Sequence, residues 1–468
     1  MKIYRIPMVP GPVSVSREVL EAGQENFGSA DLEKEYIDLY KATEKSLRKI
    51  MQTKNSVVIQ TGEGMLALWS ALKSCLLPGD KVLVLSTGLF GYGMGGMAEA
   101  IGCEVRTVGF GFDETFTDFD LIEKAIREFQ PKMITMVQNE TPSGTMNPVA
   151  EIGALKEKYA VPLLYVDAVS GLGGSVVKTD EWHIDLCLGA SQKCLSAPAS
   201  MSFLSVSDRA WEIIEEVGYV GYDALLPFRT AVKNAYFPYT PYWQGTAQLN
   251  KACELILEEG LGKVIARHQK VAGYCRERIV KMGLKLYPAM DAVPSPTVTA
   301  VYVPQKISWK NLDTRLRAEG LVVGGNYGCL AGEVFRIGHM GTQANLNLVK
   351  EAMDILEGGD TTKSGSFQKI EWLEAHQLPC FFREIWGIQC PGCGFQTALL
   401  LLLKGNIQAA VVSWPGIVPL FAFGLFLIGR CCGIRKISAG FLKGTGFCCV
   451  ATILLVYVFR FIRMGRVI

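Results

Sequence analysis

No aspartate or glutamate occurs after Glu384, although Lys404, Arg430, Arg435, Lys436, Lys443, Arg460, Arg463 and Arg466 all do. Histidine is scarce throughout, with four residues (His183, His268, His339 and His376), which excludes a histidine-rich metal centre. The opening MKIYRIPMVPGP has no unbroken apolar run, because Pro7, Pro10 and Pro12 interrupt it, and so does not read as a signal peptide. The first 384 residues have no cationic excess either: 39 of the 47 basic residues stand there against all 45 acidic ones, a net of −6. Such a body is a poor nucleic-acid binder by electrostatics. Seven of the 14 cysteines (Cys75, Cys103, Cys187, Cys194, Cys253, Cys275 and Cys329) lie singly along it, the usage of reduced thiols in a cytosolic protein and not of a disulfide framework. With 49% apolar and 20% charged residues the chain is not disordered, and its 468 residues suggest more than one domain.

What is present reads as a large α/β domain followed by a small α+β domain. Short β-branched runs (Val57–Gln60, Lys81–Ser86, Glu104–Val108, Met133–Gln138, Pro162–Val166, Leu186–Leu188) alternate with amphipathic stretches such as Met65–Leu76, Phe119–Phe129 and Val149–Tyr159. That is the pattern of βαβ units around a mostly parallel sheet. A long helical pattern runs from Thr246 to Met282, and Thr297–His339 returns to strand, helix, strand. Residues 1–357 form this body, with the small subdomain from about 260, and 358–379 form a linker.

The chemistry concentrates in two segments. PLLYVDAVSGLGG ends a strand in Asp167, and IDLCLGASQKCLSAP brings Lys193 to the end of another strand 26 residues later. Both emerge at the C-terminal edge of the sheet, where α/β proteins bind ligands. A lysine and a carboxylate there suit pyridoxal phosphate, which needs a Schiff-base amine and an acidic partner for its pyridinium nitrogen. Upstream, VVIQTGEGMLALWSAL places Gly62, Glu63 and Gly64 at a helix N-terminus, where backbone N–H groups can meet a phosphate. Phe90, in what reads as the glycine-rich loop STGLFGYG, can stack on a ring, and the Thr141 hydroxyl in NETPSGTMNP lies just past another strand end.

These segments resemble the class V aminotransferases of the type I pyridoxal-phosphate fold, in particular the alanine–glyoxylate and serine–glyoxylate branch. The resemblance spans about Pro7 to Leu356 and rests on GPVSVS, FGSADLE, TGEGMLALWSALKSCLLPGD, TGLFG, ETPSGTMNP, VDAVSGLGG, SQKCLSAP and FRIGHMG. It implies Lys193 as the Schiff-base lysine, Asp167 on the pyridine nitrogen, Phe90 stacked on the ring and Thr141 near the ring hydroxyl. It further implies Gly62, Glu63, Gly64 and Gln192 around the phosphate, Thr240 reaching the phosphate of the other subunit of a homodimer, and Arg336 gripping the substrate carboxylate. Transfer of an amino group from an alanine-like or serine-like donor to a glyoxylate-like or pyruvate-like acceptor follows. Many glyoxylate enzymes have an arginine soon after TGxFG, where this chain has Gly91-Tyr92-Gly93-Met94. Cys329, seven residues before Arg336, opens a rival reading as the nucleophile of a cysteine desulfurase or lyase of the same superfamily.

The tail, 380–468, is of another kind. Gly405–Gly429 is an uncharged stretch of 25 residues and Gly444–Phe459 adds 16, so a hairpin of two membrane helices is expected at about 407–429 and 441–459, with the catalytic body cytoplasmic. Phe395–Leu403 is too short to span. Four cations between the two uncharged stretches and three after the second leave the orientation open. Cys390-Pro391-Gly392-Cys393 could bind a metal with help from Cys380, or act as a redox pair, which would make the tail a thiol-based module with the large domain as its scaffold. The segment resembles a small bacterial membrane-protein family of unknown function marked by CPxCG.

Overall fold

The computed structural model describes residues 4–360, 394–403, 407–420 and 423. Cys380, Cys390, Cys393 and the expected helix at 441–459 lie outside them. The chain divides into two compact units, Met1–Asp360 and Thr361–Ile468.

The strands of the first unit are β1 (Ile6–Met8), β2 (Ser56–Thr61), β3 (Lys81–Ser86), β4 (Glu104–Gly109), β5 (Met133–Val137), β6 (Asn139–Glu140), β7 (Thr145–Met146), β8 (Leu163–Asp167), β9 (Leu186–Ala190), β10 (Met201–Val206), β11 (Val298–Tyr302), β12 (Leu321–Val323) and β13 (Val334–Gly338). Seven of them form one sheet in the order β2-β10-β9-β8-β5-β3-β4. The pairings among β4, β3, β5, β8 and β9 are parallel, and β10 runs antiparallel to both its neighbours, so the sheet is mixed. β5, β8, β9 and β10 are buried at every residue, as strands covered by helices on both faces must be. One core packs Leu83, Leu85, Ile134, Met136, Leu164 and Val166 on one face, and a second packs Val82, Val84, Met133, Leu163 and Tyr165 on the other. The alternation of neighbours between the two cores is the period of two expected of a strand.

The helical pattern from Thr246 is two helices, Trp243–Glu259 and Leu261–Lys281, parted at Gly260, whose φ of 91° lies where glycine is favoured. Beyond them β11 pairs antiparallel with β13, and β1 returns from the N-terminus to pair parallel with β12. A third core of Ile6, Met8, Val271, Val301, Phe335 and Ile337 joins these layers. The last helix, Leu346–Asp360, runs three residues into the segment read as linker.

In the second unit, helix Phe395–Leu403 packs on helix Ile407–Ser413 through Ala398, Ala410 and Trp414. The expectation of one helix over 407–429 is corrected: the helix stops at Ser413, and Trp414 and Pro415 interrupt it. Proline lacks the N–H that the ladder needs and disfavours the α conformation at the residue before it. Among the described residues no helix is long and apolar enough to cross a membrane.

Candidate active site

Three loops that follow parallel strands converge. Asp167 is the last residue of β8, buried, with its Oδ1 accepting the Val169 N–H at 2.8 Å. Burial pushes its carboxyl up to about 6, against that hydrogen bond and the opposing charge of Lys193. Lys193 follows β9 by three residues. Burial pulls its amine down to about 8, and the Arg336 guanidinium pulls in the same direction while Asp167 and Glu63 pull back. Its Nζ donates to the Pro10 carbonyl at 2.7 Å, which brings the N-terminal segment over the site. Gly11 is required there, because a Cβ would stand 2.6 Å from Lys193 Cδ.

Phe90 lies in the first turn of helix Leu89–Ile101, not in a glycine-rich loop as its neighbours suggested. The glycines serve packing: a Cβ on Gly91 would stand 2.5 Å from Ser86 Oγ, and one on Gly95 would press on Val84. Both contacts bring the helix close against β3. Its first turn is held by a residue that sequence reasoning missed. Glu140, fully buried on β6, accepts the Gly91 N–H at 2.8 Å and the Phe90 N–H at 3.4 Å. Burial pushes its carboxyl up to about 7, opposed by these bonds and helped by the charge of Asp167. The available signal was its place beside Thr141 in ETPSGT. Thr141 itself is buried and shares a short hydrogen bond with Ser170, in the loop after β8.

Gly62 closes β2 onto helix Gly64–Cys75 with φ 144° and donates to the Ser200 carbonyl at 2.7 Å. Glu63 is the N-cap residue but makes no capping hydrogen bond. Its Oε2 accepts instead from Gln192 Nε2 at 3.3 Å, while Gln192 Oε1 is buried without a donor. From the small domain, Arg336 on β13 is buried, its Nε and Nη2 both donating to the Gly325 carbonyl at 2.8 and 2.5 Å. The Tyr327 ring stacks 4.8 Å from its guanidinium. Among the described residues Arg336 has no carboxylate partner. Asn326 Nδ2 donates to the Pro142 carbonyl at 2.8 Å and ties this loop to the turn that bears Thr141. Neither Tyr327 nor Asn326 was singled out from sequence, which offers no pattern for them.

Thr240 lies beside the strand-to-helix turn, in a shallow pocket shared with Thr61, Leu66, Tyr222 and Tyr239. Its hydroxyl donates to Asp31 at 2.9 Å. Cys329 is exposed on the turn Gly328–Leu330. Among the described residues no group of three or more histidine, cysteine or acidic side chains could hold a metal.

The residues fit pyridoxal phosphate: a buried amine and a buried carboxylate within electrostatic reach, an aromatic ring, a hydroxyl, and a helix N-terminus ending in a glycine turn. Comparison with known proteins agrees. Residues 14–338 match the model of the family Aminotransferase class-V. Residues 380–428 match Protein of unknown function (DUF2752). The chain is 34% identical to an uncharacterized aminotransferase of Methanocaldococcus jannaschii, over 72% of this chain and 88% of that protein. It is 31% identical to pyridoxamine–pyruvate transaminase of Mesorhizobium japonicum, over 75% and 91%. The crystal structure of alanine–glyoxylate aminotransferase from Nostoc sp. superposes with a TM-score of 0.72 at 29% identity, covering 77% of this chain and 96% of that one.

Proposed function

The chain belongs to the class-V aminotransferases, and on that premise we propose that it moves an amino group from a small uncharged amino acid such as alanine or serine to a small monocarboxylic 2-oxo acid such as glyoxylate or pyruvate. Its chemistry is pyridoxal 5′-phosphate-dependent transamination. The observation that carries the substrate class is Arg336, a buried guanidinium without a carboxylate partner among the described residues. With Nε and Nη2 on the Gly325 carbonyl and Tyr327 as a further side-chain partner, the guanidinium has N–H donors left to offer one carboxylate.

When bound, the cofactor supplies an electron sink for the substrate's Cα. Asp167 is the acid to meet the ring nitrogen, because ionisation of a buried carboxyl is favoured once a cation replaces lost solvent. Phe90 is the aromatic face for the ring, and Thr141 the hydroxyl for the ring oxygen. Lys193, with its amine pulled toward neutral pH, is suited to hold the cofactor and then to carry the proton between two carbons, since a base works best when its pKa lies near the working pH. Relatives named alanine–glyoxylate aminotransferase and ureidoglycine–glyoxylate transaminase support transamination over desulfuration at Cys329.

We also assign the chain to homodimers, with Thr240 reaching the partner's phosphate site, and to a membrane, held by the uncharged stretches of residues 380–468. Size-exclusion chromatography with light scattering and fractionation of cells into soluble and membrane pools test these two points. For the central reading, Arg336→Ala should lower kcat/KM for alanine about 10- to 100-fold, the loss of a charged hydrogen-bond pair, while the absorption of the Lys193-bound cofactor survives. A variant with unchanged kcat/KM would remove Arg336 from the substrate site.

A further inference from the structure

Helix Leu89–Ile101 is capped from outside itself. We infer that Glu140 is a positioning residue for the reaction: its carboxylate sets the height and tilt at which the Phe90 ring meets the cofactor, and ties that ring face to Thr141 as one unit. The inference rests on the reading that Phe90 covers the cofactor ring.

A helix leaves its first N–H groups without acceptors, and the usual remedy is a serine, threonine, aspartate or asparagine immediately before it. Here that place is Gly88, which makes no side-chain cap. The role passes to Glu140, 50 positions from Phe90 and fully buried. One of its oxygens accepts the Gly91 N–H at 2.8 Å and the other the Phe90 N–H at 3.4 Å. Gly88 makes the room for this: a Cβ there would stand 2.7 Å from Glu140 Cδ and 2.8 Å from Oε2, the oxygen that faces Phe90. The carboxylate meets the positive dipole end of the helix, and among the described residues no cation pairs with it.

Glu140 is itself held rigidly. It pairs with Thr145 in the β6–β7 hairpin, its carbonyl accepts the Gly144 N–H at 2.8 Å, and neighbouring Asn139 donates to Ser295 at 2.7 Å. The next residue is Thr141, whose hydroxyl is fixed by Ser170. On the opposite side Gly91 lies against Ser86, where a Cβ would stand 2.5 Å from Oγ, so the turn cannot slide along β3. The two ring contacts, the aromatic face and the hydroxyl, are thereby joined through one side chain. Groups that orient a reactant repay such rigidity, because a misplacement of about 1 Å can cost about 100-fold in rate.

The test is a double-mutant cycle on the full-length protein, reading the dissociation constant of pyridoxal 5′-phosphate, the visible circular dichroism of the bound cofactor and the thermal midpoint of the apoprotein. Its corners are wild type, Glu140→Gln, Phe90→Leu and the double variant. Glutamine keeps one acceptor and turns an N–H donor toward the other backbone N–H, so the turn should tilt and cofactor binding should weaken about tenfold, with a reduced dichroism. Phe90→Leu, which keeps apolar bulk without the ring, should weaken it by about as much. Adding Glu140→Gln to Phe90→Leu should then weaken binding by less than about twofold more, because the effect of Glu140 runs through the missing ring. Gly88→Ala pushes the carboxylate aside without replacing it; it should repeat the loss, and it takes the place of Glu140→Gln in the cycle if that variant does not fold. Losses that multiply across the cycle, or binding unchanged in both Glu140→Gln and Gly88→Ala, would overturn this inference alone. An unchanged Phe90→Leu would overturn the reading of Phe90 and the inference with it.

Discussion

Lys193 is held between opposing fields: burial and Arg336 favour the neutral amine, while Asp167 and Glu63 favour the cation. With its amine near 8 rather than at the ordinary lysine value, capture of the cofactor by the apoprotein should accelerate as pH rises through about 8 and level off above it. Stopped-flow absorption after mixing with pyridoxal phosphate measures this; a rate still climbing tenfold per pH unit at pH 9.5 would contradict it. Asp167 gives a prediction of stability. Its folded pKa, about 6, lies above the unfolded value, so the folded apoprotein takes up a proton between pH 6 and 4 that the unfolded chain takes up later, and acid stabilises it through this group. His268 and His339 act in the opposite sense. Burial depresses them to about 4 and about 3, so their stability is present above the ordinary histidine value and falls as pH drops below it. Asp167→Asn removes one offset and leaves the histidines. The thermal midpoint of that apoprotein should drop more steeply than the wild type's from pH 6 to 4, by about one proton's slope, or about 1.4 kcal/mol per pH unit. Parallel curves would refute it. The motif residues were legible because they sit in short strand-end segments whose chemistry is local. Glu140 and the Pro10 carbonyl were not, because one looks like any strand residue and the other is a backbone atom brought in from more than 180 positions away.

At the scale of elements, the strands read from β-branched runs appear where the pattern placed them; in β5, β8 and β9 burial on both faces leaves a continuous apolar run, while the edge strand β4 is largely exposed. The direction of β10 was hidden, because MSFLSV is the same pattern in either sense. The Gly91-Tyr92-Gly93 stretch misled for a physical reason: glycine is a poor helix former in isolation, yet here its missing side chain lets the helix approach β3. The end of β13 is equally tight. A Cβ on Gly338 would stand 2.2 Å from the Val9 carbonyl oxygen and 2.5 Å from Pro10 Cα, backbone atoms that no rotamer change can relieve. Gly338→Ala should therefore destabilise the protein by about 1–3 kcal/mol, seen as a lowered thermal midpoint, and should shift the pH dependence of cofactor capture by moving the Pro10 carbonyl from Lys193. A variant as stable as wild type, with the same capture profile, would show that the N-terminal segment yields freely.

At the scale of the whole molecule, two compact units of different composition share one chain, the first matched over residues 14–338 by the aminotransferase family and the second over 380–428 by a family of unknown function. The apolar stretch at 405–429 suggested one long helix, and Pro415 is the local feature that divides it. The central claim concerns the first unit and is tested on the full chain by its visible spectrum with pyridoxal phosphate, recorded before and after alanine and then after glyoxylate or pyruvate. The account predicts an absorption band absent from Lys193→Ala, lost to the pyridoxamine form with alanine and restored by the 2-oxo acid. A band that forms without Lys193, or one that no small amino acid converts, would contradict it.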